Sequence, residues 1–311
     1  MRCLIPGWVR NIKGGARMFR KKKAYVTRVE KGHSHAILKN YMANKLAVVA
    51  AAVLILIILG SLLCDVFFDY DTQCLGQNPR IRNQGPSAEH WFGTDNFGRD
   101  LFVRVLYGSR YSLVFGFGCT VMSLLLGCLL GATAAYYGGK WDAIIMRILD
   151  AIMCIPSLLL MLLMVAVMGG NMESLVISIT ISSVPGFTRM IRSVVLSVVQ
   201  QDFVEAARSC GTKDSRIVLQ HVLPNAIGPI IVNGMMNIAG IIMSAAGLSY
   251  IGMGIQPPAP EWGNMLSEAM KGIRNYPHLA IFPGLAIVIT ALCFNLVGDG
   301  LADAIDPRRR Q

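Results

Sequence analysis

An all-α integral membrane protein with six spanning helices is the fold class this sequence predicts, and three observations predict it. Of its 311 residues, 54% are hydrophobic and 15% charged, against roughly a quarter charged in soluble domains. Mean hydropathy is positive, +0.51. The apolar residues are also gathered into stretches, most of them near the ~20 residues a helix needs to cross the hydrocarbon core.

Those stretches run over 46–64, 111–139, 151–172, 174–188, 222–260 and 279–298. The fourth is bracketed by Glu173 and Arg189 and interrupted by Pro185, which neighbouring helices can tolerate by satisfying the freed carbonyl. The fifth exceeds one span, and Pro257, Pro258 and Pro260 assign its end to an external loop.

Segment 1–45 is basic and polar, 46–68 is the first spanning helix, and 69–110 is an external loop that becomes amphipathic before the second span. Region 111–300 holds five further spans with a polar loop at 201–224, and 301–311 is a tail. Gly116, Gly118, Gly127 and Gly131 punctuate the second span, as close helix packing in lipid favours. Short turns at Gly138-Gly139-Lys140 and Gly169-Gly170-Asn171 make two hairpins. Trp262, in the loop after the fifth span, reads as an interfacial anchor.

Charge orients the chain. Segment 1–45 carries 12 basic residues and one acidic residue, and the rest of the chain is balanced. By the positive-inside rule the amino terminus is cytoplasmic. Six crossings return the carboxyl terminus there, with Arg308, Arg309 and Arg310 in agreement. The basic cluster at Arg20, Lys21, Lys22 and Lys23 is a topology signal that also meets anionic lipid, not a nucleic-acid site. The cysteines lack metal-type spacing and sit mostly in apolar runs. Cys64 and Cys74 share the outer side, where a bridge is open to them in an oxidising compartment.

The loop at 201–224 reads as two short helices at an angle. Asp202 is placed to cap the first, with Glu205 three residues on in a variant of the capping box. Gly211 ends it in a left-handed turn. Thr212 or Asp214 begins the second, which runs until Pro224. Glu205-Ala206-Ala207, three residues, Gly211, then Leu223-Pro224 after eleven more resembles the E-A-A loop of importer-type ATP-binding-cassette permeases. His221 stands where that pattern usually has Ile.

Phe92 to Asp100 with Tyr107-Gly108-Ser109-Arg110, then Gly252 to Pro258 with Glu261 to Leu266, and Asn295 to Pro307 extend the resemblance. They are similar to the C-type permease of the oligopeptide, dipeptide and nickel importer family, over roughly residues 40–308. The resemblance implies a type I importer permease fold in a prokaryotic plasma membrane, importing peptides, or nickel chelates or another small solute. It implies a B-type permease partner, two cytoplasmic ATPases that hold ATP and Mg, and an extracytoplasmic solute-binding protein. This chain then carries no cofactor, metal or catalytic residue of its own.

In that reading Glu205, Ala206, Ala207, Arg208, Gly211, Lys213, Arg216, Leu223 and Pro224 form the ATPase-docking loop. Small alanines allow close approach, glycine the bend, and the basic residues pairing with acidic groups. Glu205 also has a plainer role as a helix cap. Asp95, Arg99 and Asp100 either shape an external vestibule or hold turns and caps locally. Asn233 and Asn237, one turn apart on the fifth span, either line a polar pathway or bond to neighbouring helices. A secondary transporter calls for coupling charges deep in the spans, and none is obvious. A membrane enzyme calls for convergent reactive groups, whereas His33, His35, His90, His221 and His278 are scattered. No P-loop is present, so energy comes from a partner.

Overall fold

The structure, a computed structural model, describes residues 38–305. The cytoplasmic placement of the basic segment and of Arg308 to Arg310 concerns residues largely outside that range. Helix α1, Lys45–Phe67, starts at Asn44, whose side chain accepts a hydrogen bond from the Ala47 amide. It exposes Leu46, Leu56 and Leu62, because lipid tails receive leucine as readily as a protein core does.

Helix α2, Leu101–Tyr137, has 37 residues. The expected amphipathic helix and the second span are therefore one rod, continuous through a π turn at Val114–Gly118. At 1.5 Å per residue it is about 55 Å long, so its first turns stand outside the hydrocarbon. Helix α5, Met172–Val199, packs closely along its lower half. Three of the four singled-out glycines explain their presence by contact. A Cβ on Gly131 would lie 2.7 Å from the Thr188 carbonyl oxygen, on Gly127 3.1 Å from Ile191 and Phe187, and on Gly116 2.6 Å from Ile242. Gly118 meets nothing within 4 Å.

The fourth stretch, the weakest in hydropathy, is the central one. In its most apolar window 56% of residues are buried, against 22% in α1. Asn171 caps α5 by accepting from the Ser174 amide at 2.9 Å. Buried apolar side chains form one cluster around α5 and another between α1, α7, α8 and α9. Of these, α7 is Asp214–Tyr250, α8 is Trp262–Met270, and α9 is His278–Ile305.

Three expectations are corrected. The third stretch is not a straight helix. Helix α3, Gly139–Met153, and helix α4, Ser157–Met168, meet at 81°. Pro156 disfavours helical backbone at Ile155 and cannot donate to the turn before it. Alone, α4 with 12 residues is about 18 Å long. Five described helices are thus long and apolar enough to cross a membrane, or six if the bent pair is one span.

Second, Pro224 starts no new segment. Helix α7 runs through it, because a π turn at Val218–Val222 loosens the ladder where the proline lacks its N–H. The Asn225 side chain also donates to the His221 carbonyl at 2.6 Å. Third, Trp262 is 2% exposed and donates its indole N–H to the Val105 carbonyl at 2.8 Å. It plugs the contact between α8 and α2 instead of anchoring at the interface, and Gly108 leaves the room it needs.

Candidate functional site

The loop between α5 and α7 folds as its sequence suggests, with one change. Helix α6, Asp202–Ser209, begins at Gln201 with no side-chain cap. Asp202 is therefore the first helical residue and not the cap. Together with Glu205 it still places negative charge in the first turn, which suits the positive end of the helix dipole. At the other end Gly211 has φ +74°. The Gly211 amide bonds the Arg208 carbonyl at 2.9 Å, and the Thr212 amide reaches back to the Ala207 carbonyl at 3.2 Å. These two bonds are a Schellman closure, which needs a left-handed residue.

The loop is seated by its apolar residues and open in its polar ones. Val204, Ile217 and Val222 are buried in the cluster around α5, with Ala207 and Leu223 packed partly against it. Glu205, Ala206, Arg208, Gly211, Lys213, Arg216 and Pro224 are all exposed. Glu205 and Arg208 also stand at a polar hollow of about 540 Å³ beside Gln200 and Gln201. The loop thus presents a polar face with an alanine at its centre, seated on the core through Val204, Ile217 and Val222.

A second feature lies deeper. A cavity of about 470 Å³ is bounded by Ile155, Pro156 and Ser157 at the α3–α4 break, by Ser182, Ser183 and Gly186 on α5, and by Asn233 and Asn237 on α7. Asn233 donates to the Pro229 carbonyl at 2.9 Å and Asn237 to the Asn233 carbonyl at 2.8 Å. Both bonds stay within α7, so each amide keeps an oxygen and a further N–H at the cavity. The two asparagines are brought together with two serines that hydropathy reading missed. Pro156 and Pro185 were the signal for them, since helix irregularity within a membrane is tolerated where it lines a cavity.

The charges near these spans pair across helices. Arg192 on α5 donates twice to Asp142 on α3, at 2.5 and 2.6 Å, and Arg189 donates to Asp150. The amphipathic α3 is thereby tied to α5 just below the cavity. Arg147 is exposed.

In the segment between α1 and α2, Asp95, Arg99 and Asp100 hold the chain together locally. Asp95 accepts from the Phe97 and Arg99 amides, both at 2.9 Å, and from Arg99 Nε at 2.6 Å. Arg104 Nε lies 3.4 Å from the same carboxylate, and Arg99 reaches Glu268 on α8 at 3.4 Å. With Asp95 6% and Arg99 2% exposed, neither has surface left for a vestibule wall. Asp100 caps α2 through the Val103 amide at 3.0 Å and meets His90 Nδ1 at 2.8 Å.

Nearby, Glu261 caps α8 by accepting from the Gly263 and Asn264 amides at 2.9 and 2.8 Å. Burial pushes its carboxyl above the ordinary value despite those two amides. Cys64 and Cys74 are separate buried thiols, and burial pushes Cys74 up to about 11.

Residues 123–311 match the family described as binding-protein-dependent transport system inner membrane component. Residues 35–86 match the N-terminal TM domain of oligopeptide transport permease C. The dipeptide transport system permease protein DppC of Alkalihalophilus pseudofirmus is 43% identical over 274 residues, 88% of this chain and 89% of the relative. The glutathione transport system permease protein GsiD of Escherichia coli O157:H7 is also 43% identical, over 88% of this chain and 90% of its own. Among solved structures, the inward-facing MetNI methionine ABC transporter aligns with a TM-score of 0.55 at 18% identity, over 66% of this chain and 97% of the other. That likeness is one of fold.

Proposed function

Because the chain belongs to the family of binding-protein-dependent transport system inner membrane components, we propose that it is a peptide importer's C-type permease subunit, with 201–224 as its docking loop. It is a multi-pass membrane protein of an ATP-driven importer that works with ATPase and solute-binding partners. A B-type permease completes the pathway and two cytoplasmic ATPases, which hold ATP and Mg, bind beneath. Relatives named for dipeptide and glutathione transport support a short peptide as cargo. The charge asymmetry of the sequence supports termini and loop on the cytoplasmic side.

The observation that carries this reading is the loop's division of labour. Val204 and Ile217 are buried in the core, while Glu205, Ala206 and the basic residues face outward. Closure of the ATPases then has a solid part to push. Asn233 and Asn237, with Ser182 and Ser183, offer hydrogen bonds to a peptide backbone in the cavity. Asp95, Arg99 and Asp100 brace the outer end.

The test is affinity purification of this chain from gently solubilised membranes that also express its partners. Recovery of a second permease and two ATPases per complex is expected. Recovery as a functional homomer without ATPases contradicts the reading.

A further inference from the structure

Helix α6 has eight residues, and Val204 is its one fully buried side chain. A helix this short has no stability of its own, and a single buried anchor is a pivot. With Ala207 only partly packed beside it, Val204 sets where α6 sits but holds its tilt weakly, the more so beside the Gly211 turn. Something directional must fix the tilt for a push on α6 to move anything else.

That something is one phenol. Tyr136, one residue from the inner end of α2, is 6% exposed. Its hydroxyl donates to Asp214 Oδ1 at 2.6 Å, and Asp214 is the first residue of α7. Arg208, in the last turn of α6, places its guanidinium 4.7 Å from the Tyr136 ring centre and its Nε 3.4 Å from the phenol oxygen. Tyr137 packs edge-on against the ring, centroids 5.2 Å apart. Gly138, at φ +62° and ψ −157°, then ends the helix, so the ring sits at a fixed terminus. One side chain thus touches the docking helix, the second span and the head of the fifth span. Its contacts are directional where those of Val204 are not.

We infer that Tyr136 is a positioning residue for energy coupling. Through Arg208 and Asp214 it locks the tilt of α6 to the inner ends of α2 and α7, so that displacement of the loop reaches both spans together. The inference rests on the docking reading above. Without the link, the ATPases still seat on the exposed face of α6 and still hydrolyse ATP. The motion is then absorbed by rotation about Val204 and Gly211.

The experiment uses the assembled importer in liposomes with its solute-binding protein, and two labelled probes in parallel, alanyl-alanine and glutathione. Tyr136→Phe keeps the ring and the Arg208 stack but loses the donated proton. Asp214→Ala removes the acceptor at an exposed site and serves where the ring variant fails to assemble. Both are expected to co-purify ATPases at the unmutated ratio and to keep hydrolysing ATP, while peptide delivered per ATP falls about tenfold, the scale of a lost hydrogen bond to a charged group. Asp214→Asn, which keeps an acceptor oxygen, restores most of the coupling lost in Asp214→Ala.

Unchanged peptide per ATP in either assembled variant overturns the inference and leaves the docking reading intact. Equal loss in Asp214→Asn and Asp214→Ala also overturns it, since the bond then does not matter. Failure of the docking reading shows separately, as ATPases retained and uptake unchanged in Glu205→Lys.

Discussion

The two ends of this molecule spend their charges in opposite ways. Around the starts of α2 and α8, Asp95, Arg99, Arg104 and Glu261 are buried and held by turns, helix ends and one another, with Arg104 Nη2 left without a partner among the described residues. At the loop between α5 and α7, Glu205, Lys213 and Arg216 remain exposed on a framework whose apolar residues are buried. The first end pairs most of its charges within the chain, whereas the loop leaves its polar face exposed. Charges of the first kind are stability, and charges of the second kind are free for the docking role proposed above.

That contrast gives an ordering of expected effects on folding. The largest is at the first of these ends. Asp95→Ala leaves Arg99 and Arg104 without the carboxylate they share, and removing one partner of a buried pair costs about 3–5 kcal/mol. Thermal unfolding in detergent is expected to drop steeply and the amount of subunit in membranes to fall. An unshifted Tm would erase the contrast.

Next comes Gly211→Trp. Its φ of +74° costs a non-glycine residue about 1–2 kcal/mol, while a Cβ there meets nothing within 4 Å. A modest loss of stability with a total loss of uptake is therefore expected, because the bend angle and the clear space around it are both altered.

Glu261→Gln is expected to cost about 1 kcal/mol, the usual scale of a cap. It also changes the pH dependence. Burial raises the Glu261 carboxyl above the ordinary glutamate value, so the folded chain keeps that proton to higher pH than the unfolded one. Its favourable contribution is complete below that ordinary value and is lost as pH rises through the raised value. Tm scanned upward from acid is expected to fall less steeply in the glutamine variant. Smallest is Glu205→Lys, within about 0.5 kcal/mol of the unmutated chain as for an ordinary surface change, yet with uptake abolished.

Much of this was legible in the sequence. The glycines of α2, the Gly169-Gly170-Asn171 hairpin and the Gly211 turn needed only local rules, because glycine spacing and a left-handed cap are properties of a few adjacent residues. Proline was not legible in that way. Pro156 stands at the 81° bend between α3 and α4, but Pro185, Pro224 and Pro283 lie within helices. The difference is whether a π turn, a side-chain donor or a neighbouring helix takes over the freed carbonyls, which is a tertiary property.

Trp262 was misplaced for a similar reason, since hydropathy cannot distinguish an indole at the interface from one buried against Gly108. The ion pairs of Asp142 with Arg192 and Asp150 with Arg189 join residues about forty to fifty positions apart. Only the packing of α3 on α5 brings them together. The cavity at Asn233 and Asn237 likewise needed the bend at Pro156 before its serines had a common wall.

The central claim is that the exposed face of α6 is where an ATPase sits. It is tested most directly by placing a photo-crosslinking amino acid at Ala206, the exposed small residue in the middle of that face, and irradiating membranes that contain the whole importer. A single strong adduct between this chain and an ATPase subunit is expected, absent when the same residue is placed at exposed Leu56 of α1. Adducts only with lipid or with other copies of this chain at position 206, in membranes where uptake is active, would contradict it.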